Sequence, residues 1–196
     1  MVSAGVALAV TFVVVALTAA AGIAASRRGI EGVEDFISAR NTVGGGSLTA
    51  TIVASSMGAW ILFSPAEAGA AFGGLSAVVG YALGSAVPLA AYSVLGPRIR
   101  RLIPEGHSLT EYAYVRYGPT MYAFVLVISV AYMFTFLAAE LTGIAGGLEV
   151  VAGVPAWQTA VVVGGAVLLY TAYGGLKASI FTDAVQTLVI LPLLAV

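Results

Sequence analysis

Apolar residues run along this chain in blocks far longer than the core face of a soluble helix, and a few charges punctuate them. Residues 1–26, 41–66, 68–97, 117–139 and 150–176 contain no Asp, Glu, Lys or Arg, and 184–196 is equally free of charge. A bilayer core about 30 Å thick takes roughly 20 apolar residues of helix to cross. The blocks therefore predict six helical segments, at 2–25, 48–72, 75–95, 121–151, 157–174 and 179–196. The fourth is long enough to tilt or to emerge from the membrane. None has the alternating, roughly ten-residue period of a membrane barrel strand. The expected fold class is an all-α membrane protein with six transmembrane helices.

Composition agrees with the pattern and narrows the function. The chain has 196 residues, 60 % of them hydrophobic and 9 % charged, with a mean hydropathy of +1.04. A soluble domain carries about 25 % charged residues. These values exclude a disordered chain, a nucleic-acid binder and an ordinary cytosolic enzyme. Lipid is the main solvent. With no cysteine there is neither a disulfide frame nor a thiolate metal site.

The basic residues set an orientation. Arg27, Arg28 and Arg40 fall between segments one and two, and Arg98, Arg100, Arg101 and Arg116 between three and four. Lys177 falls between five and six. Six spans put all eight on one side, which the positive-inside rule makes cytoplasmic, with the N-terminus outside. Segment one lacks a basic leader, and its apolar run exceeds that of a signal peptide, so it reads as a span. The chain after Thr187 is apolar to Val196, with no polar exit or basic flank. It therefore reads as truncated there.

Polar residues inside a membrane carry the information. In segment two, Gly58 and Pro65 weaken the helix on either side of Trp60, with Ser55, Ser56 and Ser64 nearby. Pro65 has no N–H, so the Ile61 carbonyl loses its helical partner. Freed carbonyls at mid-membrane are tolerated inside protein or beside a wet cavity, and they suit a hard cation such as Na⁺. A proline kink repaired by serine hydroxyls is the plainer alternative. Glu67 follows one turn on, either as part of such a site or at the outer interface. Glu140, beside Thr142 and Gly143, sits among apolar turns of segment four, where a carboxylate needs a proton, a partner or water. A functional and a structural role both remain open for it. Gly174 and Gly175 allow a reversal before segment six, where Ser179 is placed to cap and Asp183 and Gln186 share a face.

Other features have plain readings. Ser108 and Glu111 form the S-x-x-E pattern of a capping box, and His107 beside them is no metal site. Arg98, Arg100 and Arg101 anchor the topology and attract anionic lipid. Tyr112, Tyr114, Tyr117 and Trp157 suit interfacial belts. Gly44, Gly45 and Gly46 lack the Lys-Ser/Thr of a nucleotide loop.

Three stretches together resemble the sodium:solute symporter family, which includes sodium/proline and sodium/glucose cotransporters. Asp35-Phe-Ile-Ser-Ala-Arg-Asn is similar to the family's loop entering its second helix. Ala54-Ser-Ser-Met-Gly-Ala-Trp is similar to the Ala-Ser-Asp-Met-Ser-Gly-Trp of sodium/proline symporters. Gly174-Gly-Leu-Lys-Ala-Ser-Ile-Phe-Thr-Asp-Ala-Val-Gln resembles the pattern Gly-Gly-x-x-Ala-Val-x-x-Thr-Asp-x-x-Gln, the most specific of the three. The resemblance covers essentially the whole chain.

The resemblance implies a five-plus-five inverted repeat behind one extra N-terminal helix. Residues 1–26 would be that helix, 27–47 a cytoplasmic loop and 48–196 the first repeat, with the second repeat missing. It implies Na⁺ as coupling ion and no other cofactor, with Ala54 and Met57 giving backbone carbonyls and Asp183 serving sodium passage. Ser56, Trp60 and Glu140 would meet the substrate, and Ser56 replaces the aspartate of proline carriers, a departure that argues against proline. The implied activity is sodium-driven symport of a small organic solute by alternating access in the plasma membrane, not catalysis. The implied partners are the solute, Na⁺, membrane lipid and the missing repeat, with no nucleic acid. Two rival readings stand beside it: a transporter-like sensory input domain of a membrane histidine kinase, and a small membrane subunit complete at Val196.

Overall fold

The computed structural model describes residues 3–26, 32–38 and 43–194, apart from the side chains of Trp60, Leu62, Leu193 and Leu194. Arg27, Arg28 and Arg40, which carry part of the predicted orientation, lie outside the described residues, as does the Trp60 side chain. Eight helices follow one another among the described residues, with no strand. They are α1 (Ala4–Ser26), α2 (Val33–Ile37), α3 (Gly45–Ser56), α4 (Trp60–Phe72), α5 (Leu75–Leu102), α6 (Leu109–Tyr117), α7 (Pro119–Ala152) and α8 (Ala156–Leu194). Four of them are long and apolar enough to cross a membrane: α1, α5, α7 and the stretch Ala156–Pro192 of α8. Among the described residues the chain is thus all-helical, with helices apolar enough for lipid.

Three of the expected segments take a different form. The block 48–72 divides into α3 and α4, of 12 and 13 residues. At 1.5 Å per residue each half reaches only about 20 Å, short of a bilayer core. Blocks five and six run together as α8, interrupted at Gly175, whose φ of 56° and ψ of −153° lie outside any helix. Helix α5 also continues beyond its apolar block to Leu102, with Arg100 and Arg101 in its last turn. Cations there favour the negative end of the helix dipole. Pro65 lies inside α4, which continues across it. One lost bond is tolerated; the break falls elsewhere.

The chain forms two compact units, Met1–Trp60 with Ala139–Val196, and Ile61–Ala138. In the second unit a turn through Gly73 and Gly74 joins α4 to α5, with the Gly74 N–H donating to the Gly69 carbonyl at 2.8 Å. The cap predicted for α6 forms: the Glu111 N–H donates to Ser108 Oγ at 3.1 Å. Its carboxylate accepts from the His107 N–H at 2.7 Å, one residue earlier than the reciprocal capping box places it. Tyr114 of α6 meets Tyr122 of α7 edge-on, with ring centroids 5.7 Å apart. Apolar side chains such as Leu83, Val87, Phe124 and Phe134 lie exposed along α5 and α7. A surface of this kind needs lipid or further protein against it.

In the first unit α1, α2 and α3 all pack on α8. Small residues make this possible. Ala19, Gly22 and Ser26 are the buried positions of α1, and Ala178 and Thr182 are buried on α8. Small side chains let backbones approach where lipid removes the hydrophobic drive between helices. The buried Thr187 hydroxyl lies 2.8 Å from the Ala50 carbonyl and 2.9 Å from that of Asp183, tying α8 to α3.

Candidate functional site

Between α3 and α4 the helix is interrupted at Met57, Gly58 and Ala59. Helix α3 closes with a tight turn in which the Met57 N–H donates to the Ala54 carbonyl at 3.1 Å. Met57 itself has φ −112° and ψ 49°, a non-helical conformation. Ending a helix leaves its last carbonyls without intrahelical donors, and starting the next leaves its first N–H groups without acceptors. The break therefore presents a negative helix end and a positive one within a few residues.

Glu140 of α7 answers the positive end. The Ala59 N–H donates to Glu140 Oε2 at 2.7 Å across 81 residues of sequence. A carboxylate on a helix-initiating N–H makes a charge-assisted bond at the favourable pole of the dipole. Its carboxyl lies so close to the backbone that a Cβ on Gly58 would overlap all three carboxyl atoms. Glycine at 58 is thus what admits the carboxylate.

The other expected residues fall around this break or away from it. The Ser56 hydroxyl donates to the Ile52 carbonyl at 2.7 Å, back along its own helix. Trp60 is the first residue of α4, and Pro65 lies further inside that helix. Glu67 is exposed on α4 in the second unit. Asp183 is half-buried in the stretch of α8 that packs on the middle of α3. There the Thr51 hydroxyl donates to the Ile180 carbonyl at 3.5 Å, and Thr187 reaches Ala50. Those α3 positions stand about 10 Å along the axis from the break, by helical rise. Glu140 meets the break at Gly58 and Ala59, next to the Ala54–Met57 turn, whereas the Asp183 stretch flanks the middle of α3.

A second cluster was not foreseen from sequence. At Gly175 the backbone of α8 swings past α2, and a Cβ there would run into the Phe36 carbonyl oxygen. Two residues on, Lys177 Nζ donates to Asp35 Oδ1 at 3.0 Å, joining residues 142 apart. Gly174 faces Ser26 of α1 just as closely. Tandem glycines and the Asp-Phe pair were the visible signals, but nothing local matched one to the other. A cleft of about 370 Å³ adjoins this cluster, with Ser47, Lys177, Phe181 and Ala184 on its walls.

Comparison with known proteins identifies the background of these sites. The sequence pattern of the sodium:solute symporter family matches residues 36–195. The spermidine transporter DUR31 of Candida albicans is 32 % identical over 163 residues, covering 83 % of this chain and 31 % of that protein. The probable urea active transporter 1 of Schizosaccharomyces pombe is 28 % identical, covering 82 % of this chain and 24 % of its own length. The urea active transporter of Saccharomyces cerevisiae is 26 % identical, over 81 % and 21 % respectively. This chain therefore spans less than a third of the length of these curated relatives. No solved structure matches it. With the family pattern matched over most of its length, the chain belongs to the sodium:solute symporter family.

Proposed function

We propose that this chain is the N-terminal part of a sodium-coupled symporter for a small, N–H-rich solute of the urea or polyamine kind. The interruption at Met57–Ala59 inside an otherwise apolar block is the observation that carries this reading. Irregular backbone at membrane depth persists where it lines a cavity or binds a ligand. Family membership and the relatives named for urea and spermidine supply the solute class. In this reading α1 is the extra helix, and α3 with α4 forms the broken first helix of a repeat. The six expected crossings are then α1, the α3–α4 pair, α5, α7 and the two halves of α8. A second, inverted repeat lies in the remainder of the full-length protein. The basic loops face the cytoplasm, the N-terminus lies outside, and the membrane is the plasma membrane.

The carbonyls of Ala54 and Met57 give the coupling ion part of its shell. Ser56, Trp60 and Glu140 border the solute space beside the break. Sodium stabilises an outward-open state and raises solute affinity, and by linkage the solute raises sodium affinity equally. Asp183 serves sodium on its way to the cytoplasm. Contacts to a charged carboxylate are worth roughly 1.5–3 kcal/mol, so Asp183→Asn should slow coupled uptake on the order of tenfold or more. Membrane insertion should be unchanged, because the substitution keeps size and shape. Wild-type rates in that variant would remove Asp183 from the ion path.

The test of the whole reading uses the full-length protein in liposomes, with labelled urea and labelled spermidine outside. An inward sodium gradient should drive accumulation of one of them above equilibrium, and an equal potassium gradient should not. Uptake indifferent to sodium would overturn the coupling. Failure of both solutes would overturn the solute class.

A further inference from the structure

We propose that Glu140 is a positioning residue, whose side chain holds open the α3–α4 break at which the coupling ion is read to bind. The inference rests on the sodium-site reading above only for what the break is used for. The geometry stands by itself.

A helix continued through this region would bond the Gly58 N–H to the Ala54 carbonyl and the Ala59 N–H to the Ser55 carbonyl, four residues back in each case. A helix closed in that way would leave no interruption for a cation to enter. In the structure the Ala59 N–H is diverted to Glu140 Oε2, 2.7 Å away on α7. An N–H engaged there is not available to the Ser55 carbonyl, so the helix does not close through the break. Gly58 belongs to the same device, since any Cβ at that position would displace the carboxyl. Three residues from two distant segments thus set one backbone shape. Glu140 acts on the ion through the backbone and without touching it.

The proposal separates the acceptor role of Glu140 from its charge. Glu140→Gln keeps a carbonyl oxygen of the same reach, while Glu140→Ala keeps none. In the detergent-solubilised full-length protein, amide exchange is followed in the peptide covering residues 54–62. Exchange at the Ala59 amide should rise about tenfold or more in Glu140→Ala and stay within about twofold of wild type in Glu140→Gln. Gly58→Ala should match Glu140→Ala, and the double variant should be no worse than either single one, as expected for residues acting as a unit. In liposomes the sodium concentration for half-maximal uptake should rise about tenfold in Glu140→Ala and Gly58→Ala.

Unchanged Ala59 exchange in Glu140→Ala would overturn the proposal. So would a Glu140→Gln variant whose Ala59 amide exchanges as fast as in Glu140→Ala, since an acceptor of the same reach would then not hold the break. Should Glu140→Ala fail to fold, the Gly58→Ala and Glu140→Gln arms decide the same question. A wild-type protein without sodium-driven uptake would defeat the transport reading and leave the exchange arm to judge the positioning role.

Discussion

Gly175→Ala is expected to remove ~3 kcal/mol or more of stability, read as a large fall in the thermal midpoint of the full-length protein in detergent. Two separate effects add at this position. Its φ of 56° with ψ of −153° is a combination that essentially only glycine adopts, and strain of this kind costs about 1–3 kcal/mol. A methyl group there would also run into the Phe36 carbonyl oxygen, and sits within 2.8–3.0 Å of the Phe36 ring. Overpacking against backbone costs a further ~1–3 kcal/mol, because a carbonyl cannot swing aside as a side-chain end can. Relief by undocking α2 would separate Asp35 from Lys177. Gly165→Ala is the control: no atom beyond its own helix lies within 4 Å of the added methyl. Alanine is the better helix former, so that change should be neutral or slightly stabilising. Equal midpoints for the two variants would contradict the account of the α8 break.

The second large effect is expected at the contact of α1 with α8. A Cβ on Gly22 would lie 2.8 Å from Thr182 Cγ2 and 3.5 Å from the Ala178 carbonyl oxygen. Leucine adds three further carbons in a direction already filled, so α1 must shift away from α8. Gly22→Leu should therefore cost ~2–3 kcal/mol. In lipid no hydrophobic drive pulls the two helices back together once their close contact is lost. Gly22→Ala should show a smaller fall, because the Thr182 methyl can rotate a little to admit one carbon. A Gly22→Leu protein with the wild-type midpoint would mean that α1 is not held by this seam.

How much of this was legible in the sequence varies by element, for physical reasons. Helices α1 and α7 follow their apolar blocks within a few residues, 2–25 against Ala4–Ser26 and 121–151 against Pro119–Ala152. Both blocks are bounded by charges or by proline and glycine, which are local signals. The cap on α6 was equally local. Segment 48–72 shows where local reasoning stops. Pro65 looked like a breaker as strong as Gly58, yet α4 continues across it while the chain opens at Met57–Ala59. At that opening the Glu140 carboxylate supplies an acceptor from 81 residues away, a cue that no local stretch contains. Glu140 itself was visible as a costly polar residue in an apolar run, but its partner was not. The Asp35–Lys177 pair was hidden likewise, since neither charge has a local cue to the other. A two-glycine reversal was expected at 174 and 175, and a single swivel at Gly175 inside α8 serves instead.

The measurement closest to the central claim, that the α3–α4 break is where the coupling ion binds, is amide exchange at residues 54–60 with and without sodium. The full-length protein would be compared in sodium and potassium at equal ionic strength. An ion held by the Ala54 and Met57 carbonyls should fix the break and slow exchange there in a saturable way with sodium alone. Exchange identical in the two salts would contradict the account, whatever the protein transports.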